Sequence, residues 1–154
     1  MENIIQLRIE IDCNINTAFD MFTSNKLLEN WLTVKAEVEP NIGGKYELFW
    51  EPENRENNST IGCIVTGIEK NKFISFNWKG PLQFKSIMNL TDPLTHVIAF
   101  FSQEIKTPNK TTIHLFHTGW RNDPDWQDAR NFFEKAWLNA LGELKDKIKK
   151  KSIP

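Results

Sequence analysis

The chain has 154 residues, enough for one domain with a real core and not for two. Its 19 basic and 20 acidic side chains leave a net charge of -1, so no broad electropositive surface is offered to nucleic acid or anionic lipid. No run approaches the roughly 20 apolar residues of a membrane span, and Met1 to Arg8 lacks the charged start and apolar run of a signal peptide, so a soluble, cytoplasmic protein is expected.

Ile4 to Ile11 alternates Ile5, Leu7, Ile9 and Ile11 with Gln6, Arg8 and Glu10, the period-two pattern of a strand with one buried face. Asn14 or Asn16 can then cap a helix carrying Ala18, Phe19 and Phe22, and a second short helix follows near Lys26 to Leu32 with Leu27, Leu28 and Trp31. The turn Asn41-Ile42-Gly43-Gly44 leads into a strand over Lys45 to Trp50, where Tyr46, Leu48 and Trp50 share a face. Glu51 to Ser59 reads as a long polar hairpin loop, and Thr60 to Glu69 as a strand broken by Gly62 and Gly67. Phe73 to Trp78 alternates again, with Ile74, Phe76 and Trp78 on one face. Three further strands are expected over Phe84 to Leu90, His96 to Ile105 and Thr111 to Gly119, for a meander of about seven.

From Pro124 the period changes from two to three and four. Ala129, Phe132, Phe133, Ala136, Trp137, Ala140, Leu141, Leu144 and Ile148 form the apolar stripe of a helix longer than five turns, which has only the sheet to lie on. Asp123 and Asp125 stand at its positive end, and Lys145, Lys147, Lys149, Lys150 and Lys151 crowd its negative end. Cys13 and Cys63 sit in apolar, strand-like settings that favour reduced, buried thiols over a disulfide.

Taken in order, Ile11-Asp12-Cys13-Asn14-Ile15-Asn16-Thr17-Ala18-Phe19 through Thr23 to Leu32 resembles the opening of the START-like superfamily, specifically proteins similar to the activator of heat shock protein 90 ATPase. Gly43-Gly44-Lys45-Tyr46, Gly62, Ile74-Ser75-Phe76-Asn77-Trp78 and His117-Thr118-Gly119-Trp120 before the long helix agree with it, from Ile4 to about Lys149. The resemblance implies a single α+β domain over 1–154 with the helix-grip, birch-pollen-allergen-like fold. In that fold a curved antiparallel sheet of six or seven strands wraps a long C-terminal helix, two short helices follow strand one, and a cavity lies between sheet and helix. Superfamily members include lipid and hormone carriers, polyketide cyclases and chaperone activators, so the scaffold by itself names no activity.

Alternation aims Leu48, Trp50, Ile74, Phe76, Trp78, Met88, Phe101, Leu115 and His117 inward, facing Phe133, Trp137 and Leu141 of the helix, with Trp31 near an opening. Each is either a cavity wall or ordinary core. Six tryptophans and eleven phenylalanines favour a wide interior, because bulky rings on a curved sheet readily leave space. The leading expectation is therefore a binding module for a small apolar or aromatic molecule, with His117 or Tyr46 as a polar handle and no cofactor. A cyclase- or dehydratase-like enzyme in which His117 moves a proton is the second reading, although no partner acid is evident. A chaperone partner bound through loops near Trp120 and Trp126 is the third. His114 faces away from His117 on a strand, so the pair makes no metal site, and nothing in the sequence sets the oligomeric state.

Overall fold

The computed structural model describes residues 3–150; Met1 and Glu2 of the N-terminal reading and Lys151 of the helix-end lysines lie outside the described residues. The elements run β1 (Ile5–Ile11), α1 (Ile15–Thr23), α2 (Asn25–Trp31), β2 (Lys35–Val38), β3 (Tyr46–Phe49), β4 (Val65–Glu69), β5 (Phe73–Trp78), β6 (Thr95–Ser102), β7 (Thr111–Thr118) and α3 (Pro124–Lys149). Five strands form an antiparallel sheet in the order β1-β7-β6-β5-β4, while β2 and β3 pair separately. The short sheet continues the edge of the large one through bridges between Lys45 and Ile64 and between Phe49 and Ser59. With α3 lying against it, this is an α+β helix-grip arrangement.

The inward rows are those that alternation demands. Ile74, Phe76 and Trp78 on β5, Val97, Ala99 and Phe101 on β6, and Ile113, Leu115 and His117 on β7 are all buried. All but His117 join Phe133, Trp137, Leu141 and Leu144 of α3 in a shared hydrophobic cluster. Register does the alignment: Phe76 lies opposite Val97, and Val97 opposite His117. The helix is tied at both ends, by Arg130 donating to the Asn3 and Ile4 carbonyls and by Lys147 donating to the Asn30 carbonyl.

Asn14 is the residue that caps α1, its Oδ1 accepting from the Thr17 N–H at 2.9 Å. Asp123 occupies the corresponding position of α3, yet its side chain makes no capping bond; Pro124, which has no N–H to satisfy, starts the helix instead. The Gly43-Gly44 turn is built as expected. Gly43 takes φ +84°, and a Cβ on Gly44 would meet the Glu39 carbonyl oxygen at 2.3 Å.

Two segments differ from the sequence reading. Phe84 to Leu90 is not a strand: Leu82–Phe84 makes a 3-10 turn and Lys85–Asn89 a π-helical turn. The cause is spacing, since Phe84, Ile87 and Met88 pack inward at intervals of three and four, while Leu82 and Leu90 are exposed. The seventh strand is instead β2, whose Ala36 and Val38 face the core against Leu48 and Tyr46. Four residues at a sheet edge give too little alternation to register in the sequence. Glu47 on β3 is buried, and its Oε2 accepts from the Gly62 N–H at 2.8 Å.

Both cysteines are free. Desolvation pushes the Cys63 thiol up to about 12 and the Cys13 thiol up to about 11, so both remain protonated at neutral pH. Native protein treated with a disulfide thiol reagent near pH 8 is therefore expected to leave Cys63 unlabelled until denaturant is added; rapid labelling in the folded state contradicts its burial. Among the described residues, no helix is long and apolar enough to cross a membrane.

Candidate functional site

Where α3 passes the end of β5, the packing does not close. A groove of about 350 Å³ remains there. Its walls are mostly apolar: the indoles of Trp50, Trp78 and Trp137, the rings of Phe132 and Phe133, and Leu32. Trp78 is the hub, with its ring 5.1 Å from Trp137, 6.0 Å from Trp50 and 6.2 Å from Phe133 between centroids. The helix contributes Ala136 and Ala140, one turn apart on the same face, and their methyl groups are too short to fill the gap the rings hold open.

The remaining rim is polar or backbone: Asn58, Ser59, Lys79, Gly80 and Pro81. A Cβ at Gly80 would lie 2.6 Å from Met88 Sδ, so a larger residue there would have to push the buried Met88 side chain aside. Asn89 clamps Gly80 from both sides, its Oδ1 accepting from the Gly80 N–H at 2.7 Å and its Nδ2 donating to the Gly80 carbonyl at 3.1 Å. These bonds hold the turn after β5 against the helical 82–89 segment and fix that lip of the groove.

The three indoles of the groove differ in their hydrogen bonding. Trp50 Nε1 donates to the Leu32 carbonyl at 2.9 Å, and Trp137 Nε1 donates to His117 Nδ1 at 3.0 Å. Trp78 is 2 % exposed, and its Nε1 has no partner. A buried donor without an acceptor costs about 1–3 kcal/mol.

His117 lies beneath the groove wall, fully buried, and does not line the groove. An indole only donates, so Nδ1 of His117 accepts from Trp137 and the ring proton resides on Nε2. Nε2 then donates to Thr95 Oγ1 at 3.1 Å, and the Thr95 hydroxyl reaches the Trp78 carbonyl at 3.5 Å. Both ring nitrogens are thus engaged within the protein. Burial, with a smaller contribution from His96, holds the imidazole well below its ordinary value, so it is neutral at pH 7.

Of the residues singled out from the sequence, Trp50, Trp78, Phe133 and Trp137 meet at the groove. Leu48, Phe76, Met88 and Leu115 are packed solidly in the core, as are Phe101 and Leu141, and none of them lines it. Tyr46 is also sealed in: its hydroxyl donates to the Phe22 carbonyl at 2.7 Å, its ring stacks on Phe76 at 3.7 Å, and burial raises its phenol. Trp31 sits beside Phe22 rather than at an opening and donates to the Met21 carbonyl at 2.8 Å. Trp120 and Trp126 are themselves buried, with the exposed residues Arg121, Asn122 and Asp123 between them, and Trp120 Nε1 donates to the His117 carbonyl at 3.0 Å. Sequence reasoning missed the lip, Asn58, Ser59 and Lys79-Gly80-Pro81. The one available signal was a Lys-Gly-Pro turn directly after an inward tryptophan.

The fold recurs among solved structures. Protein MLL2253 from Mesorhizobium loti superposes with a TM-score of 0.74 at 18% identity, covering 96% of this chain and 97% of that one. An HSP90 activator from Plasmodium falciparum, PFC0360w, gives 0.66 at 19% identity over 98% and 97% of the two chains. The Aha1 protein of Colwellia psychrerythraea, determined as a dimer, gives 0.64 at 18% identity over 94% and 95%. At such identities these likenesses establish the fold. No curated protein matches the sequence. Residues 12–149 match the family described as Activator of Hsp90 ATPase homolog 1-like protein, and with that match spanning the groove and nearly all of the chain, the protein belongs to this family.

Proposed function

We propose that the chain is a binding protein for a small, largely apolar or aromatic molecule held in the groove between β5 and α3. The observation that carries this reading is the groove itself: about 350 Å³ walled by three indoles and two phenyl rings, at the small end of the roughly 300–1,000 Å³ of ligand pockets. That size suits one compact ring system. Trp50, Trp78, Phe133 and Trp137 are the contacts read first from the sequence; Phe132, Ala136 and Ala140 complete the wall.

Naphthalene is a suitable neutral probe, followed by titration calorimetry. Because Ala140 borders empty space, Ala140→Leu is expected to leave the thermal midpoint unchanged or raise it, while lowering naphthalene affinity about tenfold or more. Equal affinity in the two proteins, or no binding to either, would remove this reading.

A chaperone partner is the second reading, supported by the family and by likeness to an HSP90 activator. The rings of Trp120 and Trp126 are buried while Arg121, Asn122 and Asp123 between them are exposed, so a partner using this loop would meet those residues rather than the two indoles. An assay of chaperone ATPase turnover with added protein tests it, and no stimulation at saturating protein counts against it.

A further inference from the structure

We propose that the free edge of β1 is an interface for a second copy of this chain, whose own β1 pairs with it antiparallel about a two-fold axis at Ile9 and joins the two five-stranded sheets edge to edge. The interface is independent of the groove and of its occupant.

A strand at the edge of a sheet presents a row of unpaired backbone N–H and C=O groups, which folded proteins usually cover or interrupt. The other edges here are covered. Outside β2, the Asn25 amide takes the Val38 N–H at 2.7 Å and donates to the Val38 carbonyl at 3.4 Å, and Glu29 Oε2 takes the Ala36 N–H at 2.9 Å. Outside β4, Val65 exchanges backbone bonds of 2.8 Å with Gly43 and Gly44. β1 is treated differently. Arg130 holds the carbonyls of Asn3 and Ile4 just before it, and among the described residues the backbone of Ile5–Ile11 forms no hydrogen bond outside the β7 ladder. The strand contains no proline or glycine, and its register with β7 runs unbroken from end to end. Leu7 and Ile9 stay half-buried even though α3 packs against this strand.

The order of residues in β1 says what fits the edge. Gln6, Arg8 and Glu10 are exposed on one face and Leu7 and Ile9 lie on the other, so a pairing strand has to present the same alternation. A second β1 does. With the axis at Ile9, Leu7 falls opposite Ile11, Ile9 opposite Ile9, and Arg8 opposite Glu10 twice, once on each side of the axis. An axis at Arg8 or at Glu10 sets like charges directly opposite each other, and one at Leu7 pairs neither charge. The Arg8 and Glu10 side chains are 59% and 49% exposed and 3.6 Å apart within the strand, so each can also reach the second copy's charge. Exposed pairs attract weakly, so the charges select the register while the ladder and its apolar row supply the attraction.

Sedimentation velocity on the full chain tests the interface. A dimer at about 100 µM that dissociates near about 1 µM is expected, since one added strand pair makes a small contact. Arg8→Glu alone and Glu10→Arg alone each oppose like charges and should weaken association about tenfold or more. Mixed one to one, the two variants should associate again, because each copy then carries the charge the other needs. Both positions are exposed, so circular dichroism should not change. Ile9→Cys in a Cys13→Ser background should form an intermolecular disulfide on mild oxidation, because residues opposite each other at the axis have Cα atoms about 4.5–5.5 Å apart. Gln6→Cys in the same background should not. A monomer up to about 100 µM overturns the proposal and leaves the edge to an extended segment of another protein. A dimer that ignores both charge reversals, or that does not cross-link through Ile9→Cys, overturns it as well.

Discussion

Trp137→Ala is expected to lower the unfolding free energy by about 3–5 kcal/mol, among the largest effects of any single substitution in this chain. The indole is 2 % exposed and forms the contact between α3 and the sheet, with Trp78 5.1 Å away and His117 accepting its N–H at 3.0 Å. Deletion removes that apolar area from the core and enlarges a groove that is already open, so the surroundings have little with which to collapse. Trp137→Phe separates the two components. It keeps most of the ring volume but strands His117 Nδ1, which alone costs about 1–3 kcal/mol. Urea unfolding followed by circular dichroism, with an unchanged denaturant slope, measures both. A loss below about 1 kcal/mol for Trp137→Ala would mean that this residue does not dock the helix.

Stability is expected to fall as the solution is acidified from about pH 6.5, before the carboxylates take part. His117 starts from an ordinary value of 6.5 and is held well below it by burial in the fold. Below pH 6.5 the unfolded chain therefore binds a proton that the folded chain refuses. The contribution is complete above that pH and is lost progressively as the pH drops toward the depressed folded value, with a limiting slope of about 1.4 kcal/mol per pH unit. His96, half-buried and lowered in the same direction by desolvation, acts with the same sign. Glu37, whose carboxyl is lowered mainly by its bond to Arg55, acts in the same direction only at lower pH and, being at the solvent-screened surface, only weakly. Unfolding free energies measured between pH 7.5 and 5 should thus be shallower in pH for His117→Gln than for the parent, with the difference appearing below about 6.5. Parallel curves would mean that the imidazole is free to protonate in the folded protein.

The same burial explains why His117, the most evident chemical residue in the sequence, serves here as a structural link. Its two nitrogens join β7 to α3 and to β6, and that link holds Trp137 in place at the groove wall. The sequence placed His117 inward through the alternation Ile113, Leu115, His117, and that placement is correct. Whether an inward histidine meets a ligand or a neighbour depends on what arrives from other parts of the chain, here Trp137 and Thr95, twenty or more positions away.

What the amino-acid order determined by itself was the set of elements and their faces. A period of two over β1, β5, β6 and β7, a period of three and four over α3, and the glycine turn before β3 each follow from local geometry, so they were readable without coordinates. The tertiary structure decided where the core stays open. Alternation separates inward from outward but says nothing about whether the inward side is filled, so Phe76 and Trp78, two residues apart on one face, end in different roles: the first stacked against Tyr46, the second bordering empty volume. The helical 82–89 segment, the Gly80 turn held by Asn89, and the unpartnered indole N–H depend on packing that no local pattern reports. A vacancy is the difference between several neighbours' volumes and the space around them, and no single stretch of chain encodes it.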